Sequence, residues 1–511
     1  MKANNTMVSL GIAALLVFCN HESEAAKTKP ASLAEMWKII QHQQKEIEEL
    51  KAKVYENAAL KQEVKSAQDV PQGDAKSQTQ AVATPVNAAD ANASAKQQTV
   101  PATKAAKSEA ERKTDILASE VEKLKSKLII PDKREYKSEY GLGPAASQVY
   151  RVNRGLSIGG YGEAFYTDYT ANKGDLKNTV DLTRAVLYVG YKFNDWIVLN
   201  NEFEWEHASS GTGTEAKGEV SAEFSTLDFF LHKNANIRAG LMLMPVGFIN
   251  EIHEPVTFHG NRRPDVETII IPSTWAELGF GLFGEVIPDL QYRMYAVNGM
   301  NAKGYSSAGI AEGKQEGSHA LAEDLAFVGR VDFRPKYAPG LTLGTSSYVG
   351  DAGQGQWYMG KKANVLTQIY EGHVQWHWRG LEMRALGALG YIGNAGLVSA
   401  QNLAINPTAK DAVVGSRNYG WYTEAAYDVM PWLLQDSTQY LAPFFRYERY
   451  NTLAAVPEGF VGDKTWDRWI YQAGLTYKPI PNISIKADYR NIHSAGGGLP
   501  HEFNLGLGFI Y

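Results

Sequence analysis

Cysteine is nearly absent: the 511 residues hold one, Cys19, and it lies in a segment expected to be lost on secretion. Lys2 precedes an apolar stretch from Met7 to Phe18 that is too short to span a bilayer, and Ser23-Glu24-Ala25 offers a small-x-small cleavage site before Ala26. Reading residues 1–25 as a signal peptide leaves a mature chain without cysteine, which excludes disulfides, thiolate catalysis, thiolate-held clusters and covalently attached haem. Phe18 ahead of Cys19 argues against a lipid anchor, which wants a small residue there. Long apolar runs are missing too, and none after the signal reaches the length of a membrane helix. Nor is there a basic excess: 51 Lys and Arg against 56 Asp and Glu give a net charge of -5, which argues against nucleic acid as a partner. Nucleophile motifs, phosphate-cradling glycine loops and zinc-ligand spacings are likewise lacking, so no enzyme, no cofactor and no metal are expected.

What is present changes character along the chain. Leu33, Ile40, Ile47 and Val54 recur every seven residues, with Met36, Leu50 and Val64 at the second core position, where Gln43 and Asn57 also fall. That heptad predicts a coiled coil over residues 26–64, and its Ile-rich first position is compatible with a trimer. Residues 65–107 run through Ala, Gln, Thr, Ser, Pro, Asp and Lys with almost no large apolar side chain, the composition of a disordered linker. A second helical segment, 108–130, carries the stripe Ile116 or Leu117, Val121, Leu124, Leu128 and ends at Pro131.

Beyond residue 150 the period becomes two. In the last ten residues Leu505, Leu507, Phe509 and Tyr511 share one face, with Asn504, Gly506 and Gly508 between them. About sixteen such segments follow one another between residues 156 and 511, long enough to cross a bilayer when tilted. Tight links after the even-numbered segments, such as Asn194-Asp195 and Arg379-Gly380, alternate with longer Gly-, Asn- and Ser-rich loops; the turn over Met430 to Gln439 is the exception. The reading is an all-β transmembrane barrel of about sixteen antiparallel strands over 150–511, in the bacterial outer membrane, with the coiled coil in the periplasm. A terminal strand ending on an aromatic also reads as the signal by which barrel assembly machinery would take up the chain.

The alternation assigns faces. Tyr370, Gly372, Val374, Trp376 and Trp378 are expected to face lipid; Glu371, His373, Gln375 and His377 face the lumen. Residues four apart on a strand lie about 13 Å from each other, so His373 and His377 are not expected to share a metal ion. Arg184, Arg238, Arg293, Arg330, Arg384, Arg446, Arg468 and Arg490 are expected to line the pore with Glu371, either as a cationic track for anions or as wall residues paired with acids such as Glu202, Glu204 and Asp488.

Between the fifth and sixth segments, Phe248 to Ser273 reads FINEIHEPVTFHGNRRPDVETIIIPS. Arg263-Pro264-Asp265-Val266-Glu267, Ile271-Pro272-Ser273-Thr274-Trp275 and the Gly279 to Gly284 run resemble outer-membrane porins of the phosphate-selective O/P superfamily and related trimeric porins with an N-terminal coiled coil. The resemblance implies a third loop that folds inward as a constriction, carrying Glu251, His253, Glu254, His259, Arg262, Arg263, Asp265 and Glu267. It implies a homotrimer passing small hydrophilic, including anionic, solutes; the lysine-rich loop of a dedicated phosphate channel is missing. The alternative is a structural barrel, sheathing a partner such as a multihaem cytochrome or tethering the membrane to a cell-wall or other periplasmic partner. An inward third loop discriminates, because a sheath needs an open lumen.

Overall fold

The computed structural model describes residues 136–207 and 218–511. The expected signal peptide, coiled coil, linker and second helical segment lie outside them. All described residues belong to one compact unit within Ser108–Tyr511.

Among the described residues sixteen long strands form one wall: β1 Gly155–Ala171, β2 Thr179–Lys192, β3 Ile197–Glu206, β4 Val220–His232, β5 Ala235–Leu243, β6 Ala276–Ile287, β7 Leu290–Asn298, β8 Leu325–Phe333, β9 Leu341–Asp351, β10 Leu366–Trp378, β11 Leu381–Ile392, β12 Arg417–Tyr427, β13 Tyr440–Ala455, β14 Asp467–Ile480, β15 Ile483–Ser494 and β16 His501–Ile510. Each pairs antiparallel with the next, and β1 pairs with β16 from Tyr161 opposite Ile510 to Ala171 opposite His501. Closure removes the sheet edge that would otherwise invite aggregation. At the seam the amide of Gly160 donates to Tyr511 O (3.0 Å) and the Tyr511 amide donates back to Gly160 O (2.9 Å). A Cβ on Gly162 would stand 2.6 Å from the Phe509 ring, and one on Gly160 would stand 2.6 Å from the Tyr511 hydroxyl, so the terminal aromatics lie over outward glycines.

The links sort by parity. Both described ends of the chain and the turns β2–β3, β4–β5, β6–β7, β8–β9, β10–β11, β12–β13 and β14–β15 lie at one rim; the long loops, led by 244–275 between β5 and β6, lie at the other. The exceptional turn, 428–439, contains a short helix, Met430–Leu433.

Alternation is inside out relative to a water-soluble fold. Outward positions such as Phe280, Phe327, Trp378, Trp421 and Phe445 are exposed, whereas Glu204, Asp228, Arg238, Asp332, Arg446 and Asp488, all inward, are buried. The lumen has two fillings. Toward the long-loop rim, loop residues Val266, Ile270 and Trp275 pack with Tyr295, Ile369, Tyr422 and Val398, the last from a helix Ala395–Ile405, in an apolar core. Toward the short-turn rim, residues ahead of β1 enter the barrel: Leu142, Ala145 and Ala146 pack with Tyr161, Tyr188, Phe224 and Val256. The expected domain boundary at 150 leaves this strap out.

Candidate functional site

The loop 244–275 crosses the lumen, and each expected loop residue has a partner there. Glu251 faces Arg293 (3.3 Å) and Arg330 (3.7 Å). His253 donates Nδ1–H to Asn250 O (3.0 Å) and sets Nε2 3.2 Å from Glu202 on β3. Glu254 accepts from the amides of Ala145 (2.8 Å) and Ala146 (3.1 Å) in the strap. His259 bridges Thr476 on β14 (3.0 Å) and Glu382 on β11 (3.3 Å). Arg262 pairs with Glu502 (2.8 Å) and lies over the Phe165 ring. Arg263, buried, donates to Ser273 Oγ (2.7 Å) and has no carboxylate within 4.0 Å among the described residues. Asp265 pairs with Arg490 and accepts from Tyr450 Oη (3.2 Å). Glu267 accepts from the amides of Phe248 (2.6 Å) and Ile249 (2.8 Å) and from Tyr422 Oη (2.6 Å). Burial raises Glu254 to about 7 against the opposing pull of its two amides, and raises Glu251 and Glu267 as well.

The wall makes room for this loop with glycine. A Cβ on inward Gly508 of β16 would sit 2.6 Å from Pro255, and one on Gly420 of β12 would sit 2.9 Å from both Ile270 and Val266. The small residues between the terminal strand's apolar positions therefore seat the loop.

Of the two readings left open for the inward arginines, the paired one holds for most. Arg184 contacts Glu163 (2.8 Å), Glu204 (2.7 Å) and Glu206 (3.1 Å). Arg238 grips both oxygens of Asp228 (2.7 and 2.8 Å) and also reaches Tyr140 O in the strap (3.2 Å). Arg293 and Arg330 share Asp332. Arg446 pairs with Glu424 (2.6 Å) and holds the loop by donating to His259 O (2.7 Å); Arg490 pairs with Glu502 (3.0 Å). Glu371 is taken by His373 (2.7 Å) and Ser346 (2.6 Å), and His373 also touches Asp332 (3.0 Å). A charge whose partner sits in the next strand is spent on the wall and presents little net field to a solute.

Two inward arginines are exceptions, one toward each rim. Arg384 donates to Thr257 O (3.2 Å) and lies over Phe248; Arg468 is bound by Thr465 O (2.7 Å) and Tyr450 Oη (3.2 Å) near the long-loop rim. Neither has a carboxylate within 4.0 Å among the described residues. Arg384 joins two cations that the sequence reading missed, Arg334 and Lys478, on the wall of a cavity of about 1040 Å³ at the short-turn rim. Lys478 donates to Val256 O (2.9 Å), and neither it nor Arg334 is salt-bridged among the described residues. The cavity's wall includes Ser138 to Gly141 of the strap, Glu251, Ile252, Val256 and Thr257 of the loop, and Arg293, Arg330 and Asp332 of the strands. The strap also escaped sequence reading. Its signal was present in Tyr140-Gly141-Leu142-Gly143-Pro144-Ala145-Ala146, which is too apolar and glycine-dense for a linker.

Fold and lumen define the class: a closed sixteen-stranded antiparallel barrel whose inside is occupied by its own third long loop and by a strap from the N-terminal side. No family model matches the chain. An uncharacterized protein of Aquifex aeolicus (strain VF5) is 38% identical over 372 residues, spanning 72% of this chain and 82% of that protein, and the chain belongs to the same family. Among solved structures, OmpF of Salmonella typhi in complex with daunomycin aligns over 70% of this chain and 98% of its own at 12% identity and a TM-score of 0.48. The outer membrane channel DcaP of Acinetobacter baumannii aligns over 70% and 96% at 12% identity and 0.44. The trimer form of OmpT, an outer membrane protein of Vibrio cholerae, aligns over 70% and 99% at 11% and 0.43.

Proposed function

We propose that the protein is an outer-membrane channel for passive diffusion of small hydrophilic solutes, with preference for anions, and not an enzyme. The observation that carries the membrane reading is the inverted distribution of a closed barrel, with apolar side chains exposed outward and charges buried inward. In lipid a sheet satisfies every backbone group only when it is closed, and only an apolar outer band avoids desolvating charge. The long loops are then extracellular and the short turns periplasmic. The loop 244–275 is the constriction, and the cavity of about 1040 Å³ is its periplasmic vestibule.

Anion preference rests on Arg334, Arg384 and Lys478, vestibule cations with no salt-bridged acid among the described residues, while Arg184, Arg238, Arg330 and Arg446 are matched by carboxylates. Replacing the three with Gln should move the reversal potential in a salt gradient toward cations; an unchanged potential rejects the anion reading. The occupied lumen argues against a sheath around a partner protein. Membership of the O/P superfamily, trimerisation through residues 26–64 and the barrel, and recognition of the C-terminal strand by the assembly machinery belong to the same proposal. A monomer measured by mass in mild detergent would reject the trimer.

A further inference from the structure

The β12–β13 turn is the one link at the short-turn rim that carries a helix, and it ends in a bare apolar tip. Trp432, Leu433 and Leu434 are 72%, 64% and 53% exposed. The tip is held stiffly. Pro431 opens the helix and Met430 is buried beneath it. Asp428 Oδ1 accepts from the amides of Met430 (3.0 Å) and Leu441 (3.2 Å), and the Leu434 amide donates to Met430 O (2.9 Å). Order of this kind, bought for three side chains that touch little protein, calls for an occupant on the far side.

Its direction identifies that occupant. Glu424 and Ala426 of β12 are buried inward, so Tyr427 is an outward residue, and the Trp432 ring lies against Tyr427 with centroids 5.0 Å apart. The helix therefore lies outside the wall and does not cross the mouth. Tyr427 pairs with Leu381, and Leu381 pairs with Trp378, which is exposed and stacked on Trp376 (5.9 Å). The tip thus continues an aromatic surface that runs down the outer face of β10–β12. Within 428–439 the only charges are Asp428 and Asp436, which flank the tip, and no Lys or Arg is present to seek anionic headgroups. Aromatic and aliphatic side chains on a short helix beside an aromatic belt are suited to the boundary between headgroups and acyl chains.

We propose that Trp432, Leu433 and Leu434 are an interfacial anchor inserted into the phospholipid leaflet at the short-turn rim. It rests on the membrane reading above. The anchor fixes the depth of the barrel on the β10–β13 side and marks that side as facing lipid in any assembly.

The test uses the full chain carrying Cys19→Ser in phosphatidylcholine vesicles. A nitroxide is placed at Leu433→Cys, with Leu389→Cys on the outward face of β11 and Lys336→Cys in the β8–β9 turn as references. Collisional relaxation by oxygen, which partitions into lipid, is compared with that by a water-soluble nickel chelate. The expected result is an oxygen-to-nickel ratio at Leu433 several-fold above Lys336 and approaching Leu389. A ratio equal to Lys336 places the tip in water and overturns the anchor. Protection from both reagents means that protein covers it, another stretch of this chain or a second copy, and overturns the anchor equally. A Leu389 ratio matching Lys336 removes the membrane reading itself, which separates the two failures.

Discussion

Glu254 is where the loop and the strap meet, and its replacement isolates that joint. Its carboxylate accepts from Ala145 N through both oxygens (2.8 and 3.0 Å) and from Ala146 N (3.1 Å), all buried. Glu254→Ala leaves two buried amides without acceptors, at about 1–3 kcal/mol each. A total of about 3 kcal/mol, at 1.4 kcal/mol per factor of ten, raises the population of the released strap roughly 100-fold. Hydrogen exchange read by mass spectrometry on peptides spanning 142–151 should accelerate accordingly, and single-channel records should become noisier as the vestibule wall loosens. Glu254→Gln keeps an acceptor oxygen and should retain most of the protection. The pH dependence has a fixed sign. Burial raises this carboxyl from the ordinary 4.5 to about 7, so the folded state binds its proton more tightly than the unfolded state does. The associated stability is full below about 4.5 and is lost as pH rises through about 7. Protection of the strap, taken relative to the intrinsic exchange rate at each pH, should therefore fall between about pH 6 and 8 in the wild type, about one unit either side of that value, and stay flat in Glu254→Gln. Unchanged protection in Glu254→Ala would refute the latch.

Removing the loop arginines singly should separate their roles. Arg263→Ala should shift the reversal potential toward cations more than Arg262→Ala, because Arg263 has no salt-bridged acid among the described residues, whereas Arg262 is matched by Glu502; equal shifts would mean that pairing does not set the field. Deleting Tyr511 removes both seam hydrogen bonds with Gly160 and should lower the amount of heat-modifiable barrel recovered from outer membranes; wild-type amounts would show that the seam closes without it.

The sequence alone was enough for the wall. Alternation is a local property: whether Trp378 faces out and Glu371 in depends on the two-residue period, and loop parity follows from the lengths of the links. Strand number, antiparallel order and the outward aromatics were therefore legible without knowing any contact, and the motif around Arg263 to Trp275 pointed to an inward loop by resemblance. Which charges remain available was not legible, because a salt bridge across strands depends on register and on what crosses the lumen. Arg330 and Arg384 read alike in sequence, yet Asp332 neutralises one while Phe248 and Thr257 of the loop leave the other without an acid. The strap was hidden for a related reason. Its apolar face has no period of its own, and only the lumen beside Tyr161 and Tyr188 supplies the surface that buries it.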